Sequence, residues 1–490
     1  MLFEKDRKRR VIYNDDADQQ FTIRLAYPYD ITDEESFIDA RTTPTFDTHV
    51  DTYVWCVGNG AEPLWGLWGE RRGHTVLPFL GSTDRATELI VEACHHRGME
   101  VWGSLRINDL HDAGADRLED TNDPLKAEHP EYLLGKPEDR ELGMELAESH
   151  LWTAFNFERP EVRRHRLDFI ERNAAAHDFD GYELDFTRFI WNLPQGRERE
   201  LAPVMTDFVR EVRSRLNAIG DRRGRPCTFA VHVMDSVETS LQLGLDVGAW
   251  VSERLVDVLI VGMGYQPFTL RLDQWKALGD RHGVPIYPSL NTTNLARLYK
   301  ERLRRVSDWH AFLRAAAAWW WHNDADGIYL FNFFTHKDSD VGGIDSETVF
   351  APLLDIGDPA ALVGKDKLYG IQPLKSAGTL TQGAEAAPLP IPLDVFERRL
   401  PLQMGPDADD PRSRFTIHAW TSGGSADTKV WMRLNHTLLE PVRQDDHYLA
   451  DAPAGIMRVG RNELAIFCDA ELGKTANPII VHEVLTSVAY

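Results

Sequence analysis

The sequence predicts an α/β fold, a (β/α)8 TIM barrel with a C-terminal β-sandwich domain, and three observations carry that prediction. Eight strand-like segments alternate with stretches of helical spacing, the pattern that builds a parallel sheet and, at eight units, a closed barrel. Several of these strands are apolar on both faces, as parallel strands covered by helices must be; residues 256–265, VDVLIVGMGY, are the clearest. After a stretch rich in Ala, Gly and Pro, helical spacing stops and short β-like runs take over. A doubly wound open sheet is the alternative, but no glycine-rich phosphate loop follows the first strand. The barrel is expected over residues 8–372, a linker over 373–394 and the sandwich over 395–490.

The first strand is read at 9–16, RRVIYNDD, and the second at 50–58, VDTYVWCVG, closed by a Gly-Asn-Gly turn. Between them the spacing gives a helix over 32–40. A helix over 83–98, with Ala86, Leu89, Ile90 and Ala93 on one side, leads to the third strand, 100–108. The polar excursion from there to 157 is too long for a plain connector and is a candidate functional loop. Pro160 opens the next helix from a first-turn position, and the fourth strand follows at 179–186. A helix over 201–219, stopped at Gly220, precedes the fifth strand at 227–235. Helix 245–254, strand 256–265, helix 272–282, strand 284–291, helix 306–322 and strand 326–334 complete the series. In the C-terminal part, β-like runs lie at 415–420, 429–434, 463–467 and 479–484. That domain is read as a buttress for the barrel, with sugar binding as the alternative role.

Acidic residues outnumber basic ones 77 to 54, a formal net charge of −23. Such a charge argues against nucleic acid and against an anionic membrane as partners, but not against neutral sugars. Four scattered cysteines, none in a CxxC pair, fit reduced thiols better than a disulfide framework or a zinc site. With no apolar run after the basic N-terminal residues, a cytoplasmic protein without a membrane span is expected. A homo-oligomer is compatible with everything in the chain.

Residues 179–188, FDGYELDFTR, are where chemistry concentrates. Side chains alternate along a strand, so Glu183 and Asp185 share one face while Tyr182, Leu184 and Phe186 take the other. Acids on the inner face of a strand are costly unless paired, solvated or in use. The stretch is thus either a catalytic carboxylate pair at a barrel mouth or an ion pair with Arg188 that ties strand to loop.

In a barrel of this kind the active site lies at the C-terminal ends of the strands. That rule collects Asn14, Asp15 and Asp16 from the first strand, and Trp55 from the second with Asn59, Trp65 and Trp68 beyond it. Arg106, Asn108, Asp109, His111 and Asp112 come from the third, and Glu183, Asp185 and Arg188 from the fourth. His232 and Asp235 follow the fifth, Tyr265 and Gln266 the sixth, Asn291 the seventh, and Asn332 and His336 the eighth. Carboxylates thus gather on one side, with amides, hydroxyls and aromatics on the other. That mixture suits a sugar.

Cleaving a glycoside takes two carboxyl groups, about 5–5.5 Å apart for retention and about 6.5–9.5 Å for inversion. Asp185, Glu183 and Asp235 are the catalytic candidates, with Asp185 ranked first for its place nearest the strand end. Arg106, Asn108, Asp109, Arg188, Trp55, His232, Tyr265 and Asn332 are the substrate-binding candidates. Each has a plainer reading: Asp15 and Asp16 as turn formers, His232 as a packed core histidine, Asp235 as a helix cap. The spacing of Asn108, Asp109, His111 and Asp112 fits no established ligand motif, so no metal and no cofactor is expected.

The chain resembles the glycosyl hydrolase-like family 10 group of β/α barrels. The resemblance rests on FDGYELDFTRF (179–189), close to that group's Asp-Gly-x-x-x-Asp-x-x-Arg strand. It is supported by GLDVGAWV (244–251) before VDVLIVG and by ADGIYLFNF (325–333). It covers most of the barrel and none of the sandwich. It implies that Asp185 is the group's strand-four acid and Arg188 its arginine. Glu183 is a departure, and YPSLN on the seventh strand lacks the second glutamate of the large retaining clan. The implied function is hydrolysis of a small glycoside or oligosaccharide. A lyase or isomerase of an acidic sugar, with His232 or Tyr265 as base, and a non-catalytic carbohydrate-binding barrel are the alternatives.

Overall fold

A computed structural model describes residues 8–22, 31–58, 74–142, 147–264, 267–291, 309–333, 349–371, 388–425 and 427–490. Eight strands close into a parallel barrel: β1 (Val11–Asp15), β2 (Val50–Gly58), β3 (Glu100–Arg106), β4 (Gly181–Asp185), β5 (Thr228–Val233), β6 (Val258–Val261), β7 (Ile286–Asn291) and β8 (Ile328–Phe331). Each pairs with the next, and β8 returns to β1 through Val11 to Tyr13. The helices are α1 (Glu34–Arg41), α2 (Thr83–His96), α3 (Pro124–Glu128), α4 (Pro160–Ala176), α5 (Ala202–Arg223), α6 (Val237–Gln242), α7 (Val247–Ser252), α8 (Leu272–His282) and α9 (Trp309–His322). Among the described residues no helix is long and apolar enough to cross a membrane. All four cysteines are buried and unbridged.

Local chemistry sets the element ends. Ser82 caps α2 by accepting the Arg85 amide, and Gly283 ends α8 in the left-handed conformation at φ 70°. The long helix α5 corrects the sequence reading. It runs through Gly220 to Arg223 and stops at Gly224, φ 69°. Gly220 serves packing instead, since a Cβ there would sit 2.8 Å from the Arg225 carbonyl oxygen as the chain turns back.

The barrel interior is filled by Ile12, Val54, Trp102, Ala230, Val258, Ile260, Tyr287, Tyr329 and Phe331. Trp102 is the bulkiest of these, and its neighbour on β4 is Gly181, where a Cβ would come within 2.7 Å of the indole. The glycine of the Asp-Gly pair therefore makes room for the plug. Beneath it, the Arg9 guanidinium lies 5.0 Å from the Trp102 ring centroid and pairs with Glu100 at 2.6 Å.

Ten further strands are β9 (Lys367–Ile371), β10 (Ile391–Pro392), β11 (Arg398–Met404), β12 (Arg414–Ser422), β13 (Val430–Leu434), β14 (Thr437–Leu439), β15 (Val442–Gln444), β16 (His447–Ala452), β17 (Gly460–Cys468) and β18 (Ile480–Ala489). They form two antiparallel sheets, one ordered β10-β18-β12-β16-β15 with β9 also on β18, the other β11-β17-β13-β14. Two details depart from the expected boundaries. β9 precedes residue 372 yet pairs with β18, and Ile391–Pro392, inside the expected linker, pairs with β18 as well. Residues 372–387 lie outside the described residues.

Candidate active site

The C-terminal rim of the barrel is built around β4. As the alternation predicts, Tyr182, Leu184 and Phe186 face the helical layer, each fully buried, and Glu183 and Asp185 face inward. The two acids sit at different depths. Glu183 has no exposed surface. Tyr329 reaches across from β8 and donates its hydroxyl to both Glu183 oxygens, at 2.9 and 3.1 Å, and Ser104 of β3 is also hydrogen-bonded to it. Burial, and then the neighbouring Asp185, push the Glu183 carboxyl up to about 8, so it holds its proton at neutral pH.

Asp185 lies one layer higher. Its Oδ1 accepts from the Thr187 amide (2.7 Å), the Thr187 hydroxyl (2.8 Å) and the Arg188 amide (3.1 Å). The Asp-x-Thr spacing makes this turn, in which the side chain binds the backbone just beyond it. Asp185 Oδ2 is buried and has no hydrogen-bond partner among the described residues. One oxygen is thus locked and the other bare.

His232 of β5 stands beside both acids, its Nδ1 at 3.8 Å from Glu183 Oε1 and 3.7 Å from Asp185 Oδ1. Its Nε2 bonds the Gly262 carbonyl at 2.8 Å, which fixes the proton on Nε2, and burial lowers its pKa. His232 is therefore a neutral, fully buried wall residue below the rim, the plainer of its two sequence readings.

Arg106 closes β3 above this layer. Its contacts are long: Nη1 to Asp109 Oδ2 at 3.7 Å and Nη2 to Asn332 Oδ1 at 3.5 Å. Asp16 and Asp185 are also within its electrostatic reach. Asn332, at φ 50°, is held by its amide on Asn14 Oδ1 at 3.1 Å. Asp109 accepts the His111 amide (2.8 Å) and Nδ1–H (2.6 Å). Arg188 Nη2 donates to His111 Nε2 at 2.7 Å, which fixes the imidazole as the neutral Nδ1–H form. Burial lowers the His111 pKa in the same sense, while His111 and Arg106 outweigh burial and hold Asp109 well below the usual carboxylate range. Asp112, the other acid of this stretch, pairs with Lys126 at 2.6 Å.

Three expectations are corrected by the geometry. Trp55 points into the helical layer, donates to Thr87 Oγ1 at 3.1 Å and packs edge-on against Phe37, so it offers no face to a sugar. Asn108 spends its side chain on backbone, with Nδ2 on the Phe155 and Trp191 carbonyls and Oδ1 on the Phe155 amide. Asp235 does not cap α6, which Ser236 does; its Oδ1 accepts the Met263 amide at 2.7 Å and ties the end of β5 to the end of β6. Tyr265, with Asn59, Trp65, Trp68, Gln266 and His336, lies outside the described residues.

The first strand splits its two acids. Asp15 faces outward, fully buried, bonded to Arg41 Nη1 (2.9 Å) and the Tyr53 hydroxyl (2.8 Å). Asp16 is partly exposed; its Oδ1 accepts the Asp18 amide at 3.3 Å and lies 3.5 Å from Arg41 Nη1. Sequence reasoning missed Tyr329, Ser104 and Thr187. The inward phase of β8 carries Tyr329, and the Asp-x-Thr spacing carries Thr187; Ser104 gave no signal.

No family model and no curated protein matches the chain. Among solved structures it is similar to an α-amylase from Anoxybacillus, at 14% identity over 95% of this chain and 99% of that one, with a TM-score of 0.46. An α-amylase from Geobacillus thermoleovorans follows at 13% identity, 94% and 98% coverage and a TM-score of 0.44. A chitinase from Chromobacterium violaceum gives 11%, 71% and 98%, and 0.36. These likenesses assign no residue a role.

Proposed function

We propose that this chain is a glycoside hydrolase acting on a small glycoside or oligosaccharide, with Asp185 as its nucleophile. One observation carries the reading: at the C-terminal mouth of a closed barrel, Asp185 holds one oxygen in three hydrogen bonds, and the other has no partner among the described residues. Three donors on Oδ1 fix the carboxylate plane and leave Oδ2 as the nucleophilic oxygen. Arg106 lies within electrostatic reach of it. Glu183, sealed beneath with its proton, keeps a second negative charge off the site and does not itself reach a glycosidic oxygen. The resemblance of the β4 motif to the glycosyl hydrolase-like family 10 group points the same way.

The test is turnover of a panel of nitrophenyl glycosides and short oligosaccharides by wild type and by Asp185→Asn. The variant keeps the Oδ1 bonds, so it is expected to fold and to lose about 10³-fold or more of kcat. Equal turnover by the two proteins would remove Asp185 from the chemistry.

A further inference from the structure

The hydroxyl of Thr187 has one proton and two acceptors. Its Oγ1 lies 2.8 Å from Asp185 Oδ1 and 3.3 Å from His232 Nδ1. The imidazole nitrogen can accept, because Nε2–H is spent on the Gly262 carbonyl at 2.8 Å and Nδ1 carries a lone pair. Glu183 Oε1, at 3.8 Å, is too far to hydrogen-bond that nitrogen. Thr187, Asp185 and His232 are all buried, so the choice between the two acceptors is made away from bulk water. The other two donors to Oδ1 are the amides of Thr187 and Arg188. Backbone holds those in place, whereas the hydroxyl hydrogen turns about a single bond. Of the three donors, it alone can leave Oδ1 without moving the chain. We infer that Thr187 is a positioning residue that answers the charge on Asp185. It donates to Oδ1 while Asp185 is a carboxylate and turns to His232 Nδ1 while Asp185 carries a sugar. The inference rests on the hydrolase reading and adds to it the residue that sets how readily the sugar leaves Asp185.

In the first step, an electron pair of Asp185 Oδ2 forms a bond to the anomeric carbon. The bond from that carbon to the leaving oxygen breaks, and its pair departs with the leaving group; a dinitrophenolate departs in this way without a proton. In the second, water forms the new bond to the anomeric carbon, and the ester bond to Oδ2 breaks with its pair returning to Asp185. The surplus proton of that water passes to bulk water. Thr187 loses no proton in either step; only its hydrogen bond moves. A hydrogen bond to a carboxylate is about twice as strong as one to a neutral carbonyl. The Thr187 hydroxyl thus steadies Asp185 as a departing carboxylate and does little for the ester, which favours release of the sugar. In the ester, His232 Nδ1 takes up the donor that Oδ1 no longer holds, so no buried hydroxyl is stranded.

The experiment follows wild type, Thr187→Val and Thr187→Ser on dinitrophenyl glycosides, whose fast first step leaves ester hydrolysis to limit kcat. Valine keeps the branched shape and the backbone amide but has no hydroxyl; serine keeps the hydroxyl. Thr187→Val is expected to lose about 10–100-fold of kcat, with KM falling alongside so that kcat/KM stays within about threefold of wild type. Its first turnover should release dinitrophenolate stoichiometric with protein, and protein quenched in acid should be heavier by a single glycosyl unit. Thr187→Ser should behave as wild type. Should Thr187→Val not fold, wild type alone decides. With isotope-labelled histidine and a deoxyfluoro glycoside that stops at the ester, the His232 Nδ1 nitrogen resonance should move upfield as it gains the hydrogen bond. Unchanged kcat in Thr187→Val, a fall in kcat with no fall in KM, a serine variant as slow as the valine one, or an unmoved Nδ1 resonance in the trapped ester overturns this role of Thr187 and leaves the hydrolase intact. No turnover by wild type on any glycoside overturns the hydrolase reading and this one with it.

Discussion

Glu183 shows how one side chain reports on its surroundings. An acid whose folded pKa exceeds its unfolded one weakens the fold as pH rises. Between about 4.3 and about 8 the unfolded chain has released the proton and the folded chain still binds it. The linkage predicts that wild type loses stability over this window, by on the order of a few kcal/mol, and levels off above it. Glu183→Gln cannot titrate and keeps the neutral shape. Its melting temperature should therefore stay flatter than that of wild type between about pH 5 and pH 8. Parallel profiles would mean that Glu183 ionises in the fold. At the rim, Arg106 lies 3.7 Å from Asp109, with Asp16 and Asp185 within its electrostatic reach.

The elements are held at their N-terminal ends by a different cluster. Asp180, just before β4, accepts the Val101 amide at 2.9 Å and His95 Nε2–H at 2.8 Å, and pairs with Arg225. The bond to Asp180 raises the His95 pKa against the effect of burial, with Asp180 and Asp178 adding to the rise. A raised imidazole pKa stabilises fully below the unfolded value of about 6.5 and fades as pH rises through the folded one. His95→Gln should then lower the melting temperature more at about pH 5.5 than at about pH 9, and an equal effect at both would show a neutral imidazole. At this scale the sequence was informative where the period spoke. The α8 bounds match residue for residue, α4 opens at Pro160 as read, and the inward pair on β4 follows from parity alone. Where both parities are apolar, direction is not written in the chain. VDTYVWCVG gave no reason to turn Trp55 outward, and only closure of the barrel decides it. Partners far apart in sequence were equally hidden: Tyr329 and Glu183 are 146 residues apart, and only the ring of strands brings them together.

Where the chain enters the sandwich, a polar knot closes around Asp407. Asp407 accepts Lys367 Nζ at 2.6 Å, the Tyr369 hydroxyl at 2.6 Å and the hydroxyl of Tyr490 at 2.5 Å. Lys367 also donates to the Leu362 carbonyl at 2.6 Å, so the strand that enters the sandwich sheet is anchored to the last turn of the barrel segment. Removing one partner of a buried pair leaves the other charge stranded, a loss of about 3–5 kcal/mol. Asp407→Ala is therefore expected to lower the melting temperature of a single shared transition. A sandwich that melts first and alone would show that the knot does not couple the units.

The glycine that begins β4 and the indole that plugs the barrel have a consequence for descent. They occupy one volume between them, so a lineage that gains a side chain at Gly181 must lose bulk at Trp102. Such an exchange would not be silent. A smaller plug admits water under Glu183, and a hydrated Glu183 gives up its proton near pH 4–5, roughly where ordinary glutamates do. The two positions are therefore expected to be inherited as a pair, along with the pH range in which the barrel keeps its charge.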